Sequence, residues 1–261
     1  MYIPKYVEAS NIKIWEGYNH KLNISRATFT GADDACSYHH LNSIRDEYQF
    51  IEWGILYSPS RAGNGPRCPS ISNIIKFINN INGSMAIHLC GGGVNEFING
   101  KGPGYELATN VIDRNGRVQV NVNFGSLTET KKLKLVESIS KNNNGSFILQ
   151  MNDSNKDILR YFAGVYNYSV LFDGSGGRGE QPSNWPFPYD GIKCGYAGGL
   201  GPISLEKELR NIKVVAGMAD IWVDMESKIR TDEDDCLDLS KCLQCAGIIA
   251  DMRVGGNKFY V

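Results

Sequence analysis

No apolar run in this 261-residue chain approaches the roughly 18 residues that a membrane span needs. Charge of neither sign dominates, since 27 basic and 28 acidic residues leave a formal net charge of -1. That balance, with a pI near 6.4, excludes the basic face of a nucleic-acid binder or of a protein drawn to anionic lipid. The opening stretch, MYIPKYVEASNIKIWEG, lacks the apolar core and cleavage site of a secretory signal. A cytoplasmic protein with no nucleic-acid and no membrane partner is therefore expected. Low-complexity tracts and internal repeats are missing, and the chain does not begin with a dinucleotide-binding glycine motif.

Cysteine is present but not in a metal-binding pattern. Cys242 and Cys245 form a CxxC with Cys236 nearby, yet a zinc site wants four ligands, and there is no second CxxC and no spaced histidine pair. A redox CxxC opens a helix after a strand, whereas this one sits inside the apolar helical stretch SKCLQCAGIIADM. An odd total of seven favours free thiols, so no metal and no cofactor is expected. A metal-binding set of His88, Asp173, Asp224 and Glu226 lacks the HxH or carboxylated-lysine pattern of metal-dependent hydrolases.

What the chain does have is a rhythm. Eight short β-branched runs recur: KLNISRAT (21–28), FIEWGILYS (50–58), SMAIHLCG (84–91), VQVNVNF (118–124), SFILQMND (146–153), SVLFDGSG (169–176), IKCGYAGG (192–199) and DIWVDMES (220–227). Helical patterns fall between them: ADDACSYHHLNSI, SISNIIKFINNI, TETKKLKLVESISK, SNKDILRYFAGV, SLEKELRNIKVV and DLSKCLQCAGII. Several open on a capping Ser, Thr or Asp. Strands that alternate with helices imply a parallel sheet, and eight of them in about 250 residues imply a closed (β/α)8 TIM barrel. The domain expectation is an N-terminal extension over 1–20, capping the N-terminal end of a barrel over 21–261. Two connections look unusually long, 58–70 and 91–117, the second with a short helix around 104–113; both lie on the face where barrel active sites form.

Side chains alternate along a strand, so one parity faces the barrel axis. In VQVNVNF the valines suit the helix layer, which turns Gln119, Asn121 and Asn123 inward. The same parity brings His88, Cys90, Gln150, Asn152, Asp173, Asp224 and Glu226 to the mouth. Barrel interiors close with bulky branched residues, so a polar set at the carboxyl ends reads as a binding or catalytic site. After the seventh strand, Gly198 and Gly199 let the main chain approach an anion, and Ser227 and Lys228 after the eighth add a hydroxyl and a charge.

Taken together, these motifs resemble phosphoribosylanthranilate isomerase, the barrel enzyme of tryptophan biosynthesis. LFDGSGGRGEQPSNW resembles that family's aspartate followed by GGTGK and a tryptophan. YAGGLGPISLEKELRNI resembles its AGGL and helix, and DIWVDMESKIRTDEDDCLDLSKC its VDVSSGVE. VQVN stands for VQLH, GPRCPS for PRYVSP, and ADDA for PEDA. The likeness covers strands two to eight, best over 169–245. It implies an Amadori rearrangement of a phosphorylated aminoaldose, with Asp173 as general acid. Gly198, Gly199 and Ser227 would hold the phosphate, Gly176 and Gly177 would shape the adjoining loop, and Arg67 would lie near the substrate. The family's base is a cysteine at the end of strand one in a KICG context, where a gapless alignment puts Ala27 and a small shift puts Ser25 or Arg26. The lysine of GGTGK becomes Glu180, and the SSG becomes Glu226, Ser227 and Lys228. By parity, Cys90 or His88 supplies a base from strand three.

Two functions follow. One is an isomerase acting by acid–base catalysis on a phosphorylated sugar or nucleotide-like substrate, with Asn121, Asn123, Gln150, Asp224 and Glu226 as substrate contacts. The alternative is a barrel that binds or sequesters a phosphorylated metabolite without converting it. Either is expected as a monomer or homodimer with a phosphorylated small-molecule ligand.

Overall fold

The eight apolar runs become eight parallel strands: β1 (Ile24–Thr30), β2 (Ile51–Tyr57), β3 (Met85–Cys90), β4 (Arg117–Asn121), β5 (Ser146–Met151), β6 (Tyr168–Phe172), β7 (Cys194–Ala197) and β8 (Ile221–Met225). They close in chain order, with β8 beside β1. This is the (β/α)8 barrel expected from the sequence, in a computed structural model that describes residues 21–256. The expected extension over 1–20, and its capping of the barrel, lie outside the described residues. Among the described residues no helix is long and apolar enough to cross a membrane.

Around the barrel run α1 (Tyr38–Glu47), α2 (Ile71–Asn80), α3 (Gly92–Ile98), α4 (Pro103–Asp113), α5 (Glu129–Lys141), α6 (Ile158–Tyr161), α7 (Leu205–Ala216) and α8 (Leu239–Met252). Side-chain caps start several of them: Ser70 accepts from the Asn73 N–H, Thr128 from Lys131, and Asp238 from Ser240 and Lys241. The segment 91–117 is not one long loop with a single short helix. It holds both α3 and α4, because Val94, Phe97 and Ile98 are apolar enough to bury the first of them. SNKDILRYFAGV yields only the single turn of α6. Just before it, the Asn155 amide accepts from the Phe124 N–H (2.7 Å) and donates to the carbonyls of Val122 and Gln150, holding the chain out of a helix.

The connection from β6 to β7 has no helix at all. Aromatic rings cover the outer face there instead. Trp185 packs edge-on against Tyr196 at 5.7 Å between centroids, and Tyr189 lies 5.4 Å from Phe172. Trp185 is fixed by a 2.9 Å hydrogen bond from its indole to Glu208.

Register between neighbours decides which side chains point inward. Thr28 pairs with Glu52, Ala86 with Arg117, His88 with Gln119, Gln119 with Ile148, Gln150 with Leu171, Leu171 with Gly195, Gly195 with Trp222, and Ala197 with Asp224. Partners in register share a face, so this whole set lies inside the barrel. Val118 and Val120 pack with the outer core, as the alternation of β4 predicts. Midway up, Ile148, Leu171 and Trp222 form a separate apolar cluster. Trp222 has room only because its neighbour is glycine: a Cβ at Gly195 would stand 2.1 Å from the indole.

Below that layer the interior is ionic. Glu52 is fully buried and accepts from Arg117, from Arg26 (3.1 Å), from Thr28 (2.9 Å) and from Ser84 (2.7 Å). The Arg117 guanidinium also lies 4.6 Å from the centre of the Trp222 ring. Burial by itself would raise the Glu52 carboxyl; Arg117, then Arg26, overcome it and hold the group at about 2. A carboxyl held below its ordinary 4.5 stabilises the fold fully above that pH and loses the contribution as pH falls toward 2. Glu52→Gln is therefore expected to destabilise the protein by about 3–5 kcal/mol at pH 7, since it leaves two guanidinium groups unpaired. Urea melts at pH 7 and pH 3 check this: the loss should be roughly 2 kcal/mol smaller at pH 3. Equal losses at both pH values contradict it.

Candidate functional site

At the carboxyl ends of the strands the inward positions turn polar, and a small cleft of about 50 Å³ opens there to solvent. Of the residues singled out in the sequence, His88, Asn121, Gln150, Asp173, Asp224 and Glu226 line it, together with Gly177, Gly198, Gly199, Ser227 and Lys228. Four others do not. Asn123 lies beyond the end of β4, where its side chain caps the turn at 124–126 by accepting from the Ser126 N–H (3.2 Å). Asn152 also turns away from the mouth and caps the turn at 153–155. Cys90 sits behind Asn121, whose amide donates to its sulfur at 3.3 Å. Burial pushes the Cys90 thiol up to about 11, so at neutral pH it is not a thiolate base. Gly176 stands outside the lining and closes the turn after Asp173, donating its N–H to the Asp173 carbonyl at 3.0 Å.

Asp173 is 6% exposed. One carboxylate oxygen accepts from Gln150 at 2.7 Å, and the other accepts from Ser175 at 2.8 Å. Ser175 in turn accepts from the Gly179 N–H, so the glycine-rich loop wraps back over the acid it follows. Both Asp173 oxygens thus serve as acceptors.

Asp224 and His88 stand in the opposite condition. Thr30 donates to Oδ1 of Asp224 at 2.8 Å, but Oδ2 has no partner among the described residues and lies 3.9 Å from Nε2 of His88. Nε2 and the Gln119 side-chain oxygen are likewise unpartnered. A separation of 3.9 Å is too long for a hydrogen bond. Burial raises the Asp224 carboxyl well above its usual range and lowers the His88 imidazole to about 4. Burial thus disfavours charge on both groups, and with the imidazole neutral at pH 7 they do not form an ion pair. Each buried polar atom left unpaired costs about 1–3 kcal/mol, so three at one end of a cleft are a cost borne for some purpose.

The end of β1 is Thr30, and the inward parity of that strand runs through Arg26, Thr28 and Thr30. Ala27, the gapless match to the family's cysteine, faces outward into the core, Ser25 donates to the Ile221 carbonyl, and Arg26 lies at the opposite end of the barrel. Parity counted from Thr30 backward identifies this position; counting forward from ADDA did not. Gln119 was read as inward but left out of the mouth, and Ser175 was missed, because a serine within a glycine loop carries no periodic signal.

The rim is built by three loops that touch. A Cβ at Gly198 would stand 2.8 Å from the Glu180 carbonyl, and one at Gly179 would stand 2.6 Å from the Ser227 Cβ. Gly198 and Gly199 also have φ of 126° and 64°, open to glycine and strained for other residues. These glycines let the loops after β6, β7 and β8 meet, whether or not an anion sits among them. Lys228 is exposed on this rim and makes no ion pair among the described residues. Arg67, expected beside the substrate, is engaged elsewhere. Its guanidinium takes Asp235 through two bonds of 2.6 and 2.8 Å and reaches Glu226 at 3.0 Å, tying the loop after β2 to the loop after β8. Burial raises the Glu226 carboxyl while Arg67 opposes it.

A proton titration of the histidine ring resonances tests the state of His88. Its signal, identified by its loss in His88→Asn, should stay in the neutral position from pH 8 down to about 4. A midpoint near 6.5 means the ring is hydrated and charged.

No protein-family model matches the chain, and no curated protein matches it. Crystal structures similar to it include two of phosphoribosylanthranilate isomerase from Thermotoga maritima. One, of mutually generated monomers of the dimeric enzyme, aligns over 86% of this chain and 97% of its own at 12% identity, with a TM-score of 0.53. The other aligns over 87% and 98%, also at 12% identity, with a TM-score of 0.52. At that identity the likeness shows a shared barrel fold.

Proposed function

We propose that this chain is an isomerase that converts a phosphorylated aldose, or a nucleotide-like relative, to the ketose in an Amadori-type reaction. One observation carries the reading: a carboxyl whose oxygens both accept hydrogen bonds and a carboxyl whose charged form burial disfavours line the same cleft. Two carboxyls in such different environments suit one as base and the other as acid. Asp224 gives a proton to the ring oxygen as the C1–O bond breaks. The anomeric oxygen becomes the C1 carbonyl as its hydroxyl proton leaves. Asp173 then takes the C2 proton, the C–H electron pair becomes the C1–C2 double bond, and the carbonyl π pair moves to O1, which is protonated. The proton returned to C1, with loss of the C2 hydroxyl proton, leaves a ketone at C2, with no external oxidant or reductant. The family resemblance gives Asp173 the acid's role; its hydrogen bonding favours the base's. Gly198, Gly199, Ser227 and Lys228 would take the phosphate at the rim, and the fold shared with the Thermotoga maritima isomerase supports the reaction class.

Thr30 favours a second reading, since β1 ends on a hydroxyl and not on a cysteine base. Such a barrel would bind a phosphorylated metabolite and not convert it.

Exchange of the C2 proton of ribose 5-phosphate with D2O, followed by NMR, separates the two. The wild-type protein should catalyse exchange, and Asp173→Asn should slow it by at least about 100-fold while leaving inorganic phosphate binding intact. Unchanged exchange in Asp173→Asn removes that residue from the mechanism. Tight phosphate-ligand binding without exchange favours the binding barrel.

A further inference from the structure

The cleft offers hydrogen bonds and no aromatic surface. No phenylalanine, tyrosine or tryptophan lines it. Its larger aliphatic side chains are turned into the protein: Leu171, Leu200 and Met225 are each 2% exposed or less. An aromatic ring placed there would meet no surface to stack on. The unpartnered atoms at its inner end, Nε2 of His88, Oε1 of Gln119 and Oδ2 of Asp224, are instead matched by hydroxyl groups, which can both donate and accept. Asp173 lies in the same cleft with both oxygens accepting hydrogen bonds, so a carboxylate on the ligand would gain no bond from it.

We infer that this end of the cleft recognises the hydroxyl groups of a small, non-aromatic sugar or polyol phosphate, and that the substrate carries no aryl acid at its reducing end. The inference rests on the proposed function in taking this cleft as the ligand site, but it does not depend on turnover. A site built to bond hydroxyls discriminates strongly, because a ligand lacking them leaves buried polar groups unpaired.

Calorimetric titration with three probes tests it: inorganic phosphate, D-ribitol 5-phosphate, and the 1-(2-carboxyphenylamino)-1-deoxy derivative of D-ribitol 5-phosphate. Ribitol 5-phosphate should bind at least about ten-fold tighter than phosphate, a gain of one good hydrogen bond or more. The carboxyphenylamino derivative should bind more weakly than ribitol 5-phosphate. In Gln119→Leu, checked by its melting temperature, the advantage of the polyol should shrink while the affinity for phosphate stays. A derivative that binds tighter than the polyol, or a polyol no better than phosphate, overturns the inference and leaves the isomerase reading standing. Failure of all three to bind overturns both. Should Gln119→Leu not fold, the wild-type ranking decides alone.

Discussion

Glu52 has no contact with water, and the arginines that hold it come from two other strands. A lone carboxylate in that position would be costly enough to stay protonated or to open the barrel. The pairing with Arg117 and Arg26 removes that cost and fills one end of the interior with a rigid hydrogen-bonded cluster. Trp222 lies on the Arg117 guanidinium and, with Ile148 and Leu171, forms an apolar lid above it. Charge at the lower end is therefore held in a satisfied form. Polar residues above the Trp222 layer are free to be unsatisfied. The separation depends on Gly195, since any side chain there would displace the indole.

At the upper end the loops are fixed by a second set of arginines. Arg230 is buried, bonds Asp33 at 3.0 Å and donates to the carbonyls of Pro66 and Asp235. Arg67 then grips the Asp235 carboxylate and Glu226. Loops after β1, β2 and β8 are thereby tied to one another on one side of the cleft, while glycine contacts join the loops after β6, β7 and β8 on the other. A cleft held on both sides is preformed, which lowers the ordering cost of binding.

The barrel was legible because its signal repeats. Eight strand runs and their parity recur along the chain, and each strengthens the others, so fold and inward residues such as His88, Gln150 and Asp224 could be read from spacing alone. What failed was local. Asn123 and Asn152 obey the parity but lie past the last paired residue of their strands, where an Asn side chain bonds its own backbone. Helix α6 has helical spacing, but Asn155 offers its neighbours stronger local bonds. The ionic cluster escaped notice because Glu52 and Arg117 are 65 positions apart, and only strand register brings them together. Arg67 was placed near the site correctly in space, yet its charge is spent on Asp235, a partner no periodicity announces.

The distribution of charge in the cleft sets how a ligand must lie. Its inner end carries Asp173, Asp224 and Glu226, and its rim carries the exposed Lys228 beside the glycines of the seventh loop. A phosphate dianion is drawn to the second. The rest of a short ligand must then point inward, and the atoms it brings to Asp173 and Asp224 are those farthest along its chain from the phosphate. In a five-carbon sugar phosphorylated at one end, these are C1 and C2. Under the proposed isomerase reading, these are the carbons between which Asp224 and Asp173 would move a proton.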